Sequence, residues 1–204
     1  VFSSRPINEA YIGLQYNVLG STAASLLANT YFGKLHNSVS VGYRLDFPFK
    51  VPFYWKTTFN IDCWDYFKSS TTFFEDTKPS FLVQNDTYFR SELAFPVAYK
   101  GKFILDGTAG ELENRYYQTK QFLSTDTTDK TRFRNFSTGI RFERNSHDLI
   151  QYASKGSLFS IGAKFIKGDE HNTPGSTSID KQEFDTTHNW IQIKTTILYF
   201  IIII

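Results

Sequence analysis

Apolar and polar residues alternate over runs of ten residues and more, and this most constrains what the chain can fold into. Val39, Val41, Tyr43, Leu45 and Phe47 interleave with Ser38, Ser40, Gly42, Arg44 and Asp46. The next segment repeats the pattern, with Phe53, Trp55, Thr57, Phe59, Ile61 and Cys63 against Tyr54, Lys56, Thr58, Asn60 and Asp62. A period of two puts each set on its own side of a sheet. Runs of this kind, bounded by Gly, Pro, Asn or Asp, predict nine strands at 7–17, 21–33, 37–48, 52–67, 84–98, 101–117, 131–144, 156–167 and 187–204. No helical periodicity extends beyond a turn or two. The fold class predicted is all-β and antiparallel.

Two environments suit such a sheet. In a soluble sandwich the apolar face packs on a second sheet and strands average about 5–6 residues. In a transmembrane barrel it faces lipid, and each tilted strand needs about 9–11 residues to cross. The long strands and an aromatic content of 18% favour the second. The mean hydropathy of −0.32 does not oppose it, because polar loops and a polar lumen mask a lipid-facing band. The longest apolar stretch, Ile197 to Ile204, is far short of the roughly 20 residues of a membrane helix. A net charge of +2 leaves no surplus for a polyanion, so no nucleic-acid partner is expected. Cys63 is the only cysteine, which excludes a disulfide framework. With no methionine and no signal-peptide pattern before Val1, the chain is expected to be processed or cut from a longer one.

The connections orient the sheet. Asn17–Gly20, Pro48–Pro52 and Tyr99–Gly101 are tight, whereas Lys68–Val83, Gln118–Lys130 and Lys167–Thr186 are long and polar. Barrels of outer membranes keep short turns on the periplasmic side and long loops outside. The short 33–37 connection then also lies outside, and the first strand runs downward. Position parity aims Phe53, Trp55, Phe59, Ile61, Phe89, Leu93, Phe95, Val97, Phe136, Ile140, Phe142, Phe159, Ile161, Ala163 and Phe165 at lipid. It aims Arg44, Lys56, Asn60, Arg90, Glu92, Arg141, Glu143 and Lys164 at the lumen as a charge ladder. Nine strands cannot close an even-stranded barrel. An open sheet with two free edges, or one completed by another chain, is expected.

Arg141 to Phe165 resembles a recurrent segment of the BamA/TamA (bacterial surface antigen) barrel superfamily. There a strand ends in an Asn-x-x-Asp-like turn, then a Tyr and a turn-forming Gly lead into the next strand. Tyr152, Gly156 and Ser157 stand at the matching positions. Gly20 to Phe32 is similar to an early strand of the same barrels. The runs Gln151–Ser154, Asp65–Ser70 and Thr173–Thr177 are closest to the barrel that follows a patatin-like phospholipase domain in outer-membrane proteins of Bacteroidetes. The resemblance implies a sixteen-stranded barrel of which this chain supplies the second to the tenth strand. It implies localisation in the bacterial outer membrane and contact with membrane lipid and lipopolysaccharide. It also implies missing strands supplied by the same protein or by a partner chain.

Catalytic signatures are absent. No Gly-x-Ser-x-Gly elbow occurs, nor any POTRA repeat or the family's Arg-Gly signature loop. Asn145, Ser146, His147 and Asp148 include triad-type residues, but neighbours on one turn cannot form a nucleophile–base–orienter chain, so local Asx-type bonding is expected. His36, His147, His171 and His188 show no ligand spacing. Asp62 and Asp65 fall on opposite faces by parity, and Glu111 with Glu113 reads as lumen or rim charge. The acidic residues of Gly168–Asp185 offer at most an unspecific contact to a divalent cation or lipopolysaccharide. No catalytic, cofactor-binding or metal-ligating residue is therefore assigned in 1–204, and no cofactor. The expected role is barrel wall that anchors or translocates an upstream patatin-like domain. The alternatives are the membrane part of a phospholipase with its catalytic domain upstream, an outer-membrane assembly factor, or a passive pore. The segment 145–156 is expected to be a compact turn that sets the register of its flanking strands.

Overall fold

The structure, a computed structural model, describes residues 9–66, 82–97, 100–119, 122, 123, 125–147 and 155–200. Nine strands form in chain order: β1 (Ala10–Val18), β2 (Ala23–Phe32), β3 (His36–Phe47), β4 (Phe53–Asp65), β5 (Val83–Pro96), β6 (Gly101–Tyr116), β7 (Asp129–Asn145), β8 (Gly156–Thr173) and β9 (Phe184–Phe200). They pair in that order as one antiparallel sheet. β1 and β9 do not pair with each other, so the sheet is open with two free edges, as strand parity predicts. With nine alternating directions, both edge strands run the same way.

The register separates the two faces through the middle of the sheet. One row crosses all nine strands as Val18, Ala24, Leu45, Trp55, Leu93, Leu105, Ile140, Ala163 and Ile193. The adjacent row, on the opposite face, reads Asn17, Ser25, Arg44, Lys56, Glu92, Asp106, Gly139, Lys164 and Gln192. Every member of the first is apolar, and every member of the second is polar or glycine. No second layer covers the apolar face among the described residues. Phe136 is 57% exposed and Ile193 73%. Such a contiguous apolar surface is foreign to a monomeric soluble domain, where patches stay within a few hundred Å².

The expected nine strands all form, but three reach further than alternation indicates. β7 begins at Asp129, β8 continues to Thr173 and β9 begins at Phe184. The β8–β9 connection is therefore 174–183, about half the expected length, and no longer than 146–155 at the other end of the sheet. The reason lies in cross-strand pairs: His171 faces Asp185, and Thr187 donates to Asp169 at 2.7 Å. Polar side chains here do not mark a loop, because Asp169, Glu170 and His171 each find a partner across the ladder.

Turn chemistry at the short-turn end is local. In the β5–β6 turn Val97 N–H donates to the Gly101 carbonyl at 2.9 Å. At the β7–β8 junction Ser146 N–H donates to the Ser157 carbonyl at 2.8 Å, and Ser157 N–H to Ser146 Oγ at 2.9 Å. Gly156 adopts φ +112° beside this pair, a conformation open to glycine and costly for residues with a Cβ. The middle of the expected compact turn, 148–154, lies outside the described residues, as does Tyr152.

Candidate functional site

On the polar face, the expected charge ladder is real in its facing and partial in its pairing. Lys102 meets Glu143 at 3.1 Å and Lys164 lies 3.8 Å from Asp106. Tyr54 donates to Glu92 at 3.1 Å, while Arg44 bonds Asp46 and stacks over the Tyr54 ring at 4.1 Å. Arg90 Nε–H donates to Thr108 Oγ1 at 3.3 Å. Cross-strand neighbours of opposite charge thus hold one another at short range, the sheet counterpart of helical ion pairs.

The residues singled out for chemistry do not come together. Asn145 Oδ1 accepts from His147 N–H at 3.0 Å, the expected Asx turn, and Ser146 Oγ is occupied by Ser157. Asp148 lies outside the described residues. Three histidines each take a single carboxylate partner instead of converging. His36 bonds Asp62 at 2.9 Å and stacks on Trp64, His171 bonds Asp185 at 2.7 Å, and His188 bonds Glu170 at 2.8 Å. Among the described residues no three His, Cys, Asp or Glu side chains form a metal-binding group. A cleft of about 420 Å³ at the short-turn end is lined by Phe47, Pro48, Phe53, Phe95 and Pro96 together with Asp46, Tyr54 and Lys102, which pair with Arg44, Glu92 and Glu143.

The densest polar chemistry lies at the long-loop end, where alternation alone gave no warning of it. Of the two placements expected for Glu111 and Glu113, lumen or rim, the structure has the second: they stand on the face of the apolar rows, beyond them, and not on the polar face. Rows run Glu113, Arg132, His171, Asp185 and Glu111, Arg134, Asp169, Thr187. Glu113 draws Arg115 and Lys130 to 2.8 Å and Arg132 to 3.3 Å. Burial pushes the Glu113 carboxyl up, but hydrogen bonds from Lys130, Arg115 and Arg132 outweigh it and hold it down at about 2. Glu111 bridges two guanidiniums, Arg132 Nε at 3.0 Å and Arg134 Nε at 2.6 Å.

Beside these rows the two outer loops are stitched together. Asp129 is fully buried and accepts from Gly175 N–H at 2.7 Å. Thr127 N–H donates to Ser176 Oγ at 3.0 Å, and Ser176 Oγ donates to Asp126 at 2.9 Å. Bonds from the Leu123 N–H and the Ser176 hydroxyl lower the Asp126 carboxyl below its ordinary range. Lys181 caps the Gly175 and Ser176 carbonyls at 2.9 and 2.7 Å.

The apolar rows form a slanted band. Counting along each strand from the row of Trp55 and Ile140, the first charged or amide side chain on that face comes two rows up on β8 (Lys167) and three on β7 and β6 (Arg134, Glu111). It comes four rows up on β5 (Asn85) and five on β4 (Asp65), falls back to four on β3 (Asn37), and on β9 stands at two (Asn189). From β9 to β3 the boundary thus climbs four residues net over six strand spacings, about 13 Å against about 29 Å, an inclination near 25° to the rows. On β7 the band is bounded by Arg134 and Arg144, ten residues apart. Measured along the strand, this spacing is about 33 Å. The row near its lower margin is aromatic and runs level from β3 to β7, so the slope belongs to the upper margin. Phe47 stacks on Phe53 at 4.7 Å, Phe53 meets Phe95 at 5.6 Å and Phe103 meets Phe142 at 5.3 Å.

Searches of family models, curated proteins and solved structures returned no match to this chain.

Proposed function

We propose that this chain is wall of an outer-membrane β-barrel of the BamA/TamA-like kind, anchoring or translocating a patatin-like domain that precedes it, with no catalysis in these residues. The observation that carries the membrane reading is the slanted apolar band. A flat layer of hydrocarbon cuts tilted strands obliquely, so its upper margin must step from strand to strand. Transmembrane strands incline by about 35–45° and show an apolar belt about 25 Å tall. The upper margin steps up from β9 to β4 before it falls back on β3, and the ten residues between Arg134 and Arg144 on β7 would span about 24 Å of height at the 45° end of that range. A soluble sandwich needs neither, because its core follows the second sheet. The aromatic row at the lower margin supports the same reading, as does the shared direction of the two edge strands, which leaves room for an odd number of further antiparallel strands. The patatin-like anchor is the reading that the resemblance of Gln151–Ser154, Asp65–Ser70 and Thr173–Thr177 favours.

Three tryptophans make the test intrinsic. Trp55 lies within the band, while Trp64 and Trp190 lie on the opposite face. In lipid vesicles, the emission of Trp55, taken as the difference between the full-length protein and its Trp55→Phe variant, should be quenched by acyl-chain-brominated lipid and spared by iodide. The emission of Trp64 and of Trp190, taken in the same way from Trp64→Phe and Trp190→Phe, should show weak lipid quenching. Trp55 emission indifferent to brominated lipid would exclude the membrane reading.

A further inference from the structure

Above the band on β7 and β8, the apolar face ends abruptly in cations. Lys167 stands directly opposite Phe136, and Arg134 follows one row higher on β7, with Arg132 above it. The two guanidiniums are pre-set: Glu111 accepts from Arg134 Nε–H at 2.6 Å, and Arg132 is paired with Glu111 at 3.0 Å and with Glu113, through its Nη2, at 3.3 Å. The Nη groups of Arg134 are left without a partner among the described residues, and that side chain is 68% exposed. Lys167 also has no partner among them. The nearby carboxylates are already engaged, Asp169 by the Thr187 hydroxyl and Asp185 by His171. Arg132 and Arg134 line a cleft of about 320 Å³ shared with Asp169, His171 and Asp185.

From this we infer that Arg132, Arg134 and Lys167 form a site for a phosphomonoester on the head group of an outer-leaflet glycolipid. Its acyl chains would lie on Phe136, Phe165 and Ile191 below. The inference rests on the membrane reading and adds a ligand to it. A ligand here must carry an anion and apolar tails together, because exposed cations and exposed apolar side chains are immediate neighbours on one face. The planar fork of arginine matches phosphate oxygens, and clamping by a carboxylate fixes that fork before binding. Clustered cations at the edge of a hydrocarbon layer attract anionic head groups.

The test uses the full-length protein purified from outer membranes in mild non-ionic detergent, with retained lipid A counted per protein by mass spectrometry. Arg132→Gln combined with Arg134→Gln should retain at least fivefold less than wild type, and Lys167→Gln about twofold less. Arg44→Gln, on the other face, should retain the same amount. Wild-type protein should also bind vesicles containing bisphosphorylated lipid A at least fivefold more tightly than vesicles containing its dephosphorylated form. That second comparison needs no variant to fold. Folded, membrane-embedded variants that retain lipid A like wild type, or equal binding to both vesicles, would overturn this inference alone. Displacement of the glycolipid by 20 mM inorganic phosphate would overturn it in favour of a free-anion site. Recovery of the wild-type chain in the aqueous fraction would overturn the membrane reading beneath it.

Discussion

Replacing Gly156 tests the β7–β8 junction most directly. A Cβ built on Gly156 would sit 2.5 Å from the Ser146 carbonyl oxygen and 2.9 Å from His147 Cα, both backbone. At φ +112° an L-residue is strained whatever the space. The conformational part costs about 1–2 kcal/mol or more. The steric part must displace the Ser146–Ser157 pair, whose backbone and hydroxyl hydrogen bonds lie between 2.8 and 3.0 Å. At about 1 kcal/mol net for each of two bonds lost, Gly156→Ala should destabilise by roughly 3–4 kcal/mol. Gly107→Ala is the control, since its Cβ would meet only the Ser137 carbonyl at 3.9 Å. It should be neutral or gain a few tenths of a kcal/mol from lower unfolded-state entropy. With full-length protein in detergent micelles, urea unfolding followed by tryptophan fluorescence should show the Gly156→Ala midpoint lowered by about 1 M or more. Coincident midpoints for Gly156→Ala and Gly107→Ala would refute the role given to this junction.

Three further outcomes follow from the same geometry. The depressed Glu113 carboxyl stabilises the fold fully above its ordinary value of 4.5, and the contribution fades as pH falls toward about 2. After allowance for solvent screening it is on the order of 2 kcal/mol, and urea midpoints at pH 6 and pH 2 should differ less in Glu113→Gln than in wild type. Ile140→Lys puts a charge in the middle of the apolar band and should cost about 2–4 kcal/mol of folding in vesicles. Lys164→Ser on the other face should cost under 1 kcal/mol, with the fraction of heat-resistant folded protein on a semi-native gel as the readout. Because β1 and β9 run the same way and do not pair, Leu14→Cys with Ile193→Cys, made in a Cys63→Ser background, should form no intramolecular disulfide under oxidation in the full-length protein. A quantitative disulfide would show that the two edges meet.

Strand number, strand type and facing were all legible in the residues. Period-two alternation is a local property, and the pleat converts it directly into sides. Parity therefore placed Lys56 and Arg141 on one side and Trp55 and Ile140 on the other without reference to any neighbour. Strand ends were less legible, because ends are decided by pairing. His171 and Asp169 read as loop until Asp185 and Thr187 are placed across from them. The charges at the long-loop end were legible only as lumen or rim charge, without their pairing. Glu111 and Glu113 share parity with Leu105, yet they lie beyond the apolar band, and only strand length and register show where that band ends.

By itself, then, the sequence determined a nine-stranded antiparallel sheet with one apolar and one polar face, since both follow from side-chain order along a pleated backbone. The tertiary structure alone decided how neighbouring strands are offset, and so the slope of the apolar band, the bridging of Arg132 and Arg134 by Glu111, and the tie from Gly175 to buried Asp129. Register is a relation between strands distant in sequence, settled when every cross-strand pair forms at once, and no local pattern encodes it.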